Sequence, residues 1–224
     1  KDFTQTAESL QPETLTQYLN EYFSEMTRIA LSFGATIDKY IGDAMMVFFG
    51  DPDSQGERED ARACVNMALA MQDRLLELHA IWTARGFQQP FVVRMGINTG
   101  YCNVGNFGSS ERLSYTIVGG EVNVAARLEA NADPGGMLIS YETYALVKDL
   151  VSVEERQSVR MKGIAREIKT FAVIGRSVSS TDESTISLKD SAGIEITIQK
   201  AEHSAERRAE LAVKLRQLAQ RLEQ

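Results

Sequence analysis

Cysteine and histidine are nearly missing from this chain of 224 residues, which has two of each. Cys64 and Cys102 make neither a metal-ligand spacing nor a disulfide framework. With so few histidines a His/Cys metal centre is excluded, and any metal must be held by carboxylates. Four prolines and 16 glycines are too few for a collagen-like or mostly disordered chain. Long apolar runs are absent as well. The longest, Ala44–Phe49, is strand-sized, far below the roughly 18 residues of a membrane helix, so no membrane contact by this segment is expected. Basic charge is also in deficit: 24 Lys and Arg against 31 Asp and Glu leave a net charge of −7. That balance argues against a nucleic-acid partner, although a few converging cations can still bind phosphate. No secretory leader is expected in a chain that starts abruptly at Lys1 rather than Met, and the cysteine usage fits a reducing, cytoplasmic compartment.

What is present is ordinary globular material, 43% hydrophobic and 25% charged, enough for one large domain or a domain with an appendage. Apolar residues from Leu15 to Phe33 recur at helical spacing, with Pro12 suited to the first turn and Gly34 to the stop. Two β-prone runs, Thr36–Ile41 and Ala44–Phe49, pivot at Gly42-Asp43 and read as a hairpin. A second long helix is expected from Glu57 to about Arg85, with Ala61, Val65, Ala68, Leu69, Leu75 and Leu76 inward and His79 and Trp82 on a boundary face. Phe91–Asn98 and Tyr101–Phe107 read as a second hairpin-like pair. A strand at Leu113–Val118, a helix at Glu121–Asn131, a strand at Met137–Ile139 and a helix at Tyr141–Lys148 follow. Strands at Val151–Met161 and Ile168–Ile174 close the domain. Helices alternating with hairpins indicate an α+β fold with a largely antiparallel sheet. After residue 176 come a serine-rich acidic linker (177–185) and a segment (186–224) read as a small hairpin plus an amphipathic helix carrying Leu211, Leu215, Leu218 and Leu222.

Three segments carry chemistry. They are Gly34-Ala-Thr-Ile-Asp-Lys-Tyr-Ile-Gly-Asp-Ala-Met-Met-Val-Phe-Phe-Gly50, Arg94-Met-Gly-Ile-Asn-Thr-Gly100 with Val104-Gly105, and Tyr115-Thr-Ile-Val-Gly-Gly-Glu-Val-Asn-Val-Ala-Ala-Arg-Leu-Glu129. Taken singly they have plain readings. Gly42-Asp43 is turn chemistry, Asn123 and Arg127 share one face of a surface helix, and Thr116 is a β-branched strand residue.

In this order and spacing the three segments, within residues 1–176, resemble the catalytic domain of class III nucleotidyl cyclases, most closely bacterial adenylyl cyclases with threonine at the second base-reading position. The resemblance implies a ferredoxin-like βαββαβ core acting as a head-to-tail homodimer with sites at the interface. It also implies two divalent cations, Mg²⁺ or Mn²⁺, and ATP as substrate. Asp43 matches the second of two metal-binding aspartates. Lys1-Asp2-Phe3-Thr4 matches the end of the motif that carries the first, which would place that aspartate two residues upstream of Lys1. Asp2 itself does not fill the role. Backbone N–H groups near Phe3 and Thr4 are candidates for the β- and γ-phosphates. Asn123 matches the ribose-positioning residue and Arg127 the transition-state arginine. Lys162 matches the triphosphate-binding lysine, and Arg112 aligns loosely with a further phosphate contact.

Lys39 and Thr116 match the positions that read the base. A lysine ammonium can only donate, which suits adenine N1 and opposes the N1–H of guanine; a hydroxyl suits either base. The expected activity is therefore conversion of ATP to 3′,5′-cyclic AMP and pyrophosphate. A guanylyl cyclase, or an incomplete cyclase-like dimerisation or regulatory module, stands as the alternative. The Gly-Gly-Asp/Glu-Glu-Phe signature of diguanylate cyclases is absent.

Overall fold

A computed structural model describes residues 11–87, 91–160, 167–177, 185–189 and 195–199. The chain divides into two compact units, Lys1–Ser177 and Val178–Gln224. In the second, β9 (Thr185–Lys189) pairs antiparallel with β10 (Glu195–Gln199), the hairpin expected there. The leucine-bearing helix expected at 204–224 lies outside the described residues, as does the first strand of the expected core.

Among the described residues the larger unit begins with α1 (Pro12–Ser32), with proline in its first turn. Its buried residues, Tyr18, Tyr22, Met26 and Ala30, fall four apart on one stripe. The hairpin β1 (Thr36–Ile41) and β2 (Ala44–Phe48) follows. The long α2 (Glu57–Ala84) starts with Glu57, Glu59 and Asp60 in its first turn, where acidic charge complements the helix dipole. Trp82 is fully buried rather than on a boundary face, because its indole Nε1 donates to Glu21 at 3.0 Å while its ring packs among Tyr18, Phe87 and Phe91. Leu76, expected inward, is instead 62% exposed.

The sheet has the order β3-β6-β8-β7, from β3 (Met95–Ile97), β6 (Met137–Ser140), β7 (Val151–Arg160) and β8 (Glu167–Arg176). All of its pairings are antiparallel except β3 with β6. On β6, Met137 and Ile139 pack with α2 residues Val65 and Leu69, while Leu138 packs the other way, with Val124 and Leu128 of α3 (Gly120–Asn131). This strand is covered on both faces, which is why it lacks polar alternation. A short α4 (Tyr141–Val147) begins at Ser140, whose hydroxyl accepts from the Thr143 N–H.

One expected pairing does not occur. Residues 91–98 and 101–107 form no hairpin: β3 pairs in parallel with β6, and β4 (Asn103–Ser109) pairs with β5 (Arg112–Val118). The residues that looked like a turn are engaged elsewhere. Asn98 Nδ2 donates to the Glu121 carboxylate at 2.8 Å and to its carbonyl at 3.1 Å, and a Cβ on Gly100 would lie 2.6 Å from the Glu121 side chain. Segment 98–100 thus receives the start of α3 instead of reversing the chain.

Candidate active site

The β1–β2 hairpin turns through Gly42, whose φ of +63° favours glycine, and this leaves half-buried Asp43 at its tip. Tyr22 of α1 lies beneath. Burial, and then the charge of Asp43, push its phenol up to about 12.

Farther along the same strand the pairing register slips. Ile37 opposes Val47 and Lys39 opposes Met46, which leaves Asp38 as the extra residue of a bulge. Strict alternation would send Asp38 and Lys39 to opposite faces. The bulge lets both reach Thr116 on β5. Lys39 Nζ donates to Thr116 Oγ1 at 2.9 Å, and Thr116 Oγ1 donates to Asp38 Oδ2 at 2.7 Å. The backbone N–H of Ile117 also donates to Asp38 Oδ2, at 3.1 Å. Lys39 Nζ is 3.1 Å from Asp38 Oδ1 as an ion pair, out of line for a hydrogen bond. The Asp38 side chain has no exposed surface, whereas that of Lys39 is 45% exposed. Tyr115 adds a second tie between the hairpins by donating its hydroxyl to Asp51.

Asn123 and Arg127 project from α3, exposed, while Val124 and Leu128 on its other side are buried. The strand-borne motif 94–100 holds this helix along its length. Arg94 pairs with Glu129 at 2.9 Å and donates to the Ala130 carbonyl at 3.2 Å, and Asn98 grips Glu121 at the opposite end. Between them Gly96 admits the helix backbone. A Cβ there would lie 2.2 Å from Glu129 N and 2.3 Å from Ala125 O.

The structure therefore brings together two of the expected residues, Lys39 and Thr116. Asp43 lies at the tip of the β1–β2 hairpin that carries Lys39, the Asn123–Arg127 pair on α3, and Arg112 at the exposed distal end of the β4–β5 hairpin, opposite Ser109. Phe3, Thr4 and Lys162 lie outside the described residues. Asp38 and Tyr22 were missed by the sequence reading. An acidic residue in the middle of a β-prone run, where aspartate is disfavoured, was the one available signal for Asp38; the helical pattern marked Tyr22 as a core residue but not as a neighbour of Asp43.

Residues 1–175 match the Adenylate and Guanylate cyclase catalytic domain.

The chain belongs to this cyclase family.

The cyclase domain is 34% identical over 188 residues to Adenylate cyclase 1 of Rhizobium meliloti, a match covering 82% of this chain and 28% of that protein. It spans from 28% to 38% of the length of that protein and of the adenylate cyclases of Anabaena cylindrica and Mycobacterium bovis, which it also matches. Among solved structures it resembles the adenylyl cyclase CyaB from P. aeruginosa, with 46% identity and a TM-score of 0.77 over 80% of this chain and 91% of that one. It also resembles the guanylyl cyclase Cya2, with 36% identity and a TM-score of 0.74 over 80% and 90% of the two chains. Fold and family are thus shared by enzymes named for two different bases, and discrimination must lie in individual side chains.

Cyclases of this family use divalent cations. Among the described residues no cluster of three or more His, Cys, Asp or Glu could hold one. Asp43, a hard oxygen donor at a hairpin tip, has the donor chemistry that such a cation takes.

Proposed function

We propose that this cyclase domain converts ATP to 3′,5′-cyclic AMP and pyrophosphate in the cytoplasm, at sites formed between two copies of the chain. The observation that carries the reading is the 2.9 Å contact between Lys39 Nζ and Thr116 Oγ1. It sets an obligatory donor beside a hydroxyl, just as adenine sets its N1 acceptor beside its C6 amino group. A donor-only ammonium has no partner at the N1–H of guanine.

In the reaction the ribose 3′-oxygen bonds to the α-phosphorus of the same nucleotide, the bond to the β-phosphate oxygen breaks, and pyrophosphate leaves. Lys39 and Thr116 hold the base and Asn123 the ribose, while Arg127 spreads its charge against the anion growing on the α-phosphate. Lys162, Arg112 and the backbone N–H groups of Phe3 and Thr4 are assigned to the triphosphate. Asp43 would hold Mg²⁺ or Mn²⁺, two ions per site, which when bound lower the hydroxyl pKa and neutralise phosphate charge.

Family resemblance divides these residues between two chains, Asp43 serving one site and Lys39, Thr116, Asn123, Arg127 and Lys162 the other. Exposed apolar side chains on the two hairpins and just before β4, including Ile41, Tyr101, Leu113 and Tyr115, are what a homodimer interface needs.

The test is cyclic-nucleotide production by the full-length protein with Mn²⁺ and either ATP or GTP. Cyclic AMP from ATP, lost in Asp43→Ala, is the expected result. Cyclic GMP from GTP as the main product would establish a guanylyl cyclase. No product from either nucleotide, in a folded dimer, would favour a regulatory module.

A further inference from the structure

We propose that Asp38 is a specificity-determining positioning residue: it accepts the hydrogen bond that the Thr116 hydroxyl donates and so leaves that side chain an acceptor toward the base. The inference rests on the base-reading role of Lys39 and Thr116 proposed above. A threonine hydroxyl has one proton and two lone pairs, and alone it can serve a 6-amino or a 6-oxo purine. Here the choice is removed. Asp38 Oδ2 already accepts the Ile117 N–H at 3.1 Å, so it faces Thr116 Oγ1 at 2.7 Å as an acceptor and receives its hydrogen bond. Only lone pairs of Oγ1 remain. Lys39 occupies one at 2.9 Å in the free protein. A 6-amino group can donate to Oγ1, whereas a 6-oxo group would meet it lone pair against lone pair. The carboxylate is fully enclosed and tied to backbone, so the polarity of Thr116 is set before nucleotide arrives.

The experiment compares ATP with inosine triphosphate, which has the 6-oxo and N1–H groups of guanine without its 2-amino group, and reads kcat/KM for each in the full-length protein. Asp38→Ala should lower the ATP-to-inosine-triphosphate ratio about tenfold, mainly through a lower KM for inosine triphosphate, because the hydroxyl is then free to turn and donate to the 6-oxo group. Thr116→Val should lower the ratio similarly, and adding Asp38→Ala to it should change the ratio no further, since both act through one hydroxyl. An equal loss with both nucleotides in Asp38→Ala, or an independent further loss in the double variant, would overturn the proposal.

If Thr116→Val shifts the ratio but Asp38→Ala does not, the base-reading assignment stands and this proposal fails. If Thr116→Val leaves the ratio alone, both fail. Thr116→Asp supplies a second route should Asp38→Ala not fold. It sets two carboxylates side by side and should cut ATP turnover, which Asp38→Asn in the same chain should restore. No restoration would count against the proposal.

Discussion

Gly96 of β3 meets Glu129 of α3 backbone to backbone, so closely that a Cβ on the glycine would lie 2.2 Å from the Glu129 nitrogen. No side chain can move aside to relieve that contact. Gly96→Ala must therefore push α3 away from the sheet, loosening Val124 and Leu128 in their packing against Leu138. Overpacking of this kind costs about 1–3 kcal/mol. A lower urea midpoint together with reduced turnover is expected, because the displaced helix carries Asn123 and Arg127. Unchanged stability would mean that the helix has room to shift.

Arg127 is exposed and stabilises no part of the core. Arg127→Ala should leave the unfolding transition in place and lower kcat by about 10²–10³, with a smaller change in KM, because its charge is needed where anion develops. Steady-state kinetics with ATP beside a thermal melt separate the two effects.

Homodimer sites assembled from both chains predict rescue. Asp43→Ala and Arg127→Ala proteins, each severely impaired alone, should recover activity when mixed, since one site of the heterodimer then retains both residues. Heterodimers that form and stay inactive would show that the residues do not serve opposite sites in the proposed way.

Tyr22 gives a pH signature. Its phenol is held at about 12 against an ordinary 10.0, first by burial and then by the charge of Asp43. The unfolded chain releases this proton near 10.0 and the folded chain does not, so stability is complete below that pH and declines as pH rises toward about 12. Tyr22→Phe should remove part of this alkaline loss. Asp43→Asn should lower the phenol's pKa without returning it to 10.0, because burial is the larger cause. Urea midpoints across the alkaline range, with tyrosinate absorbance compared between wild type and Tyr22→Phe, provide the check.

Local pattern made much of this legible. The stripe Tyr18, Tyr22, Met26 and Ala30, the Gly42-Asp43 turn, and the i, i+4 placement of Asn123 and Arg127 all depend on periods of 3.6 or 2 that the chain carries in itself. Segment 94–100 was misread because its Asn, Thr and Gly have the composition of a turn, while their actual partners, Glu121 and the backbone of α3, lie more than twenty residues ahead. Leu76 and Trp82 show the limit on a single helix, since an apolar stripe does not say which edge the neighbouring elements cover.

Residue type and local spacing are enough for the four described helices, the hairpin that presents Asp43, the family, and the donor-only chemistry of Lys39. Long-range packing alone reveals that β3 runs parallel to β6, that Gly96 must be small, and that Asp38 shares a cluster with Lys39 and Thr116. The physical reason is the same in all three cases. A parallel pairing, a backbone contact and a bulge each join groups far apart along the chain, and a single extra residue in β1 redirects side chains that alternation would have separated.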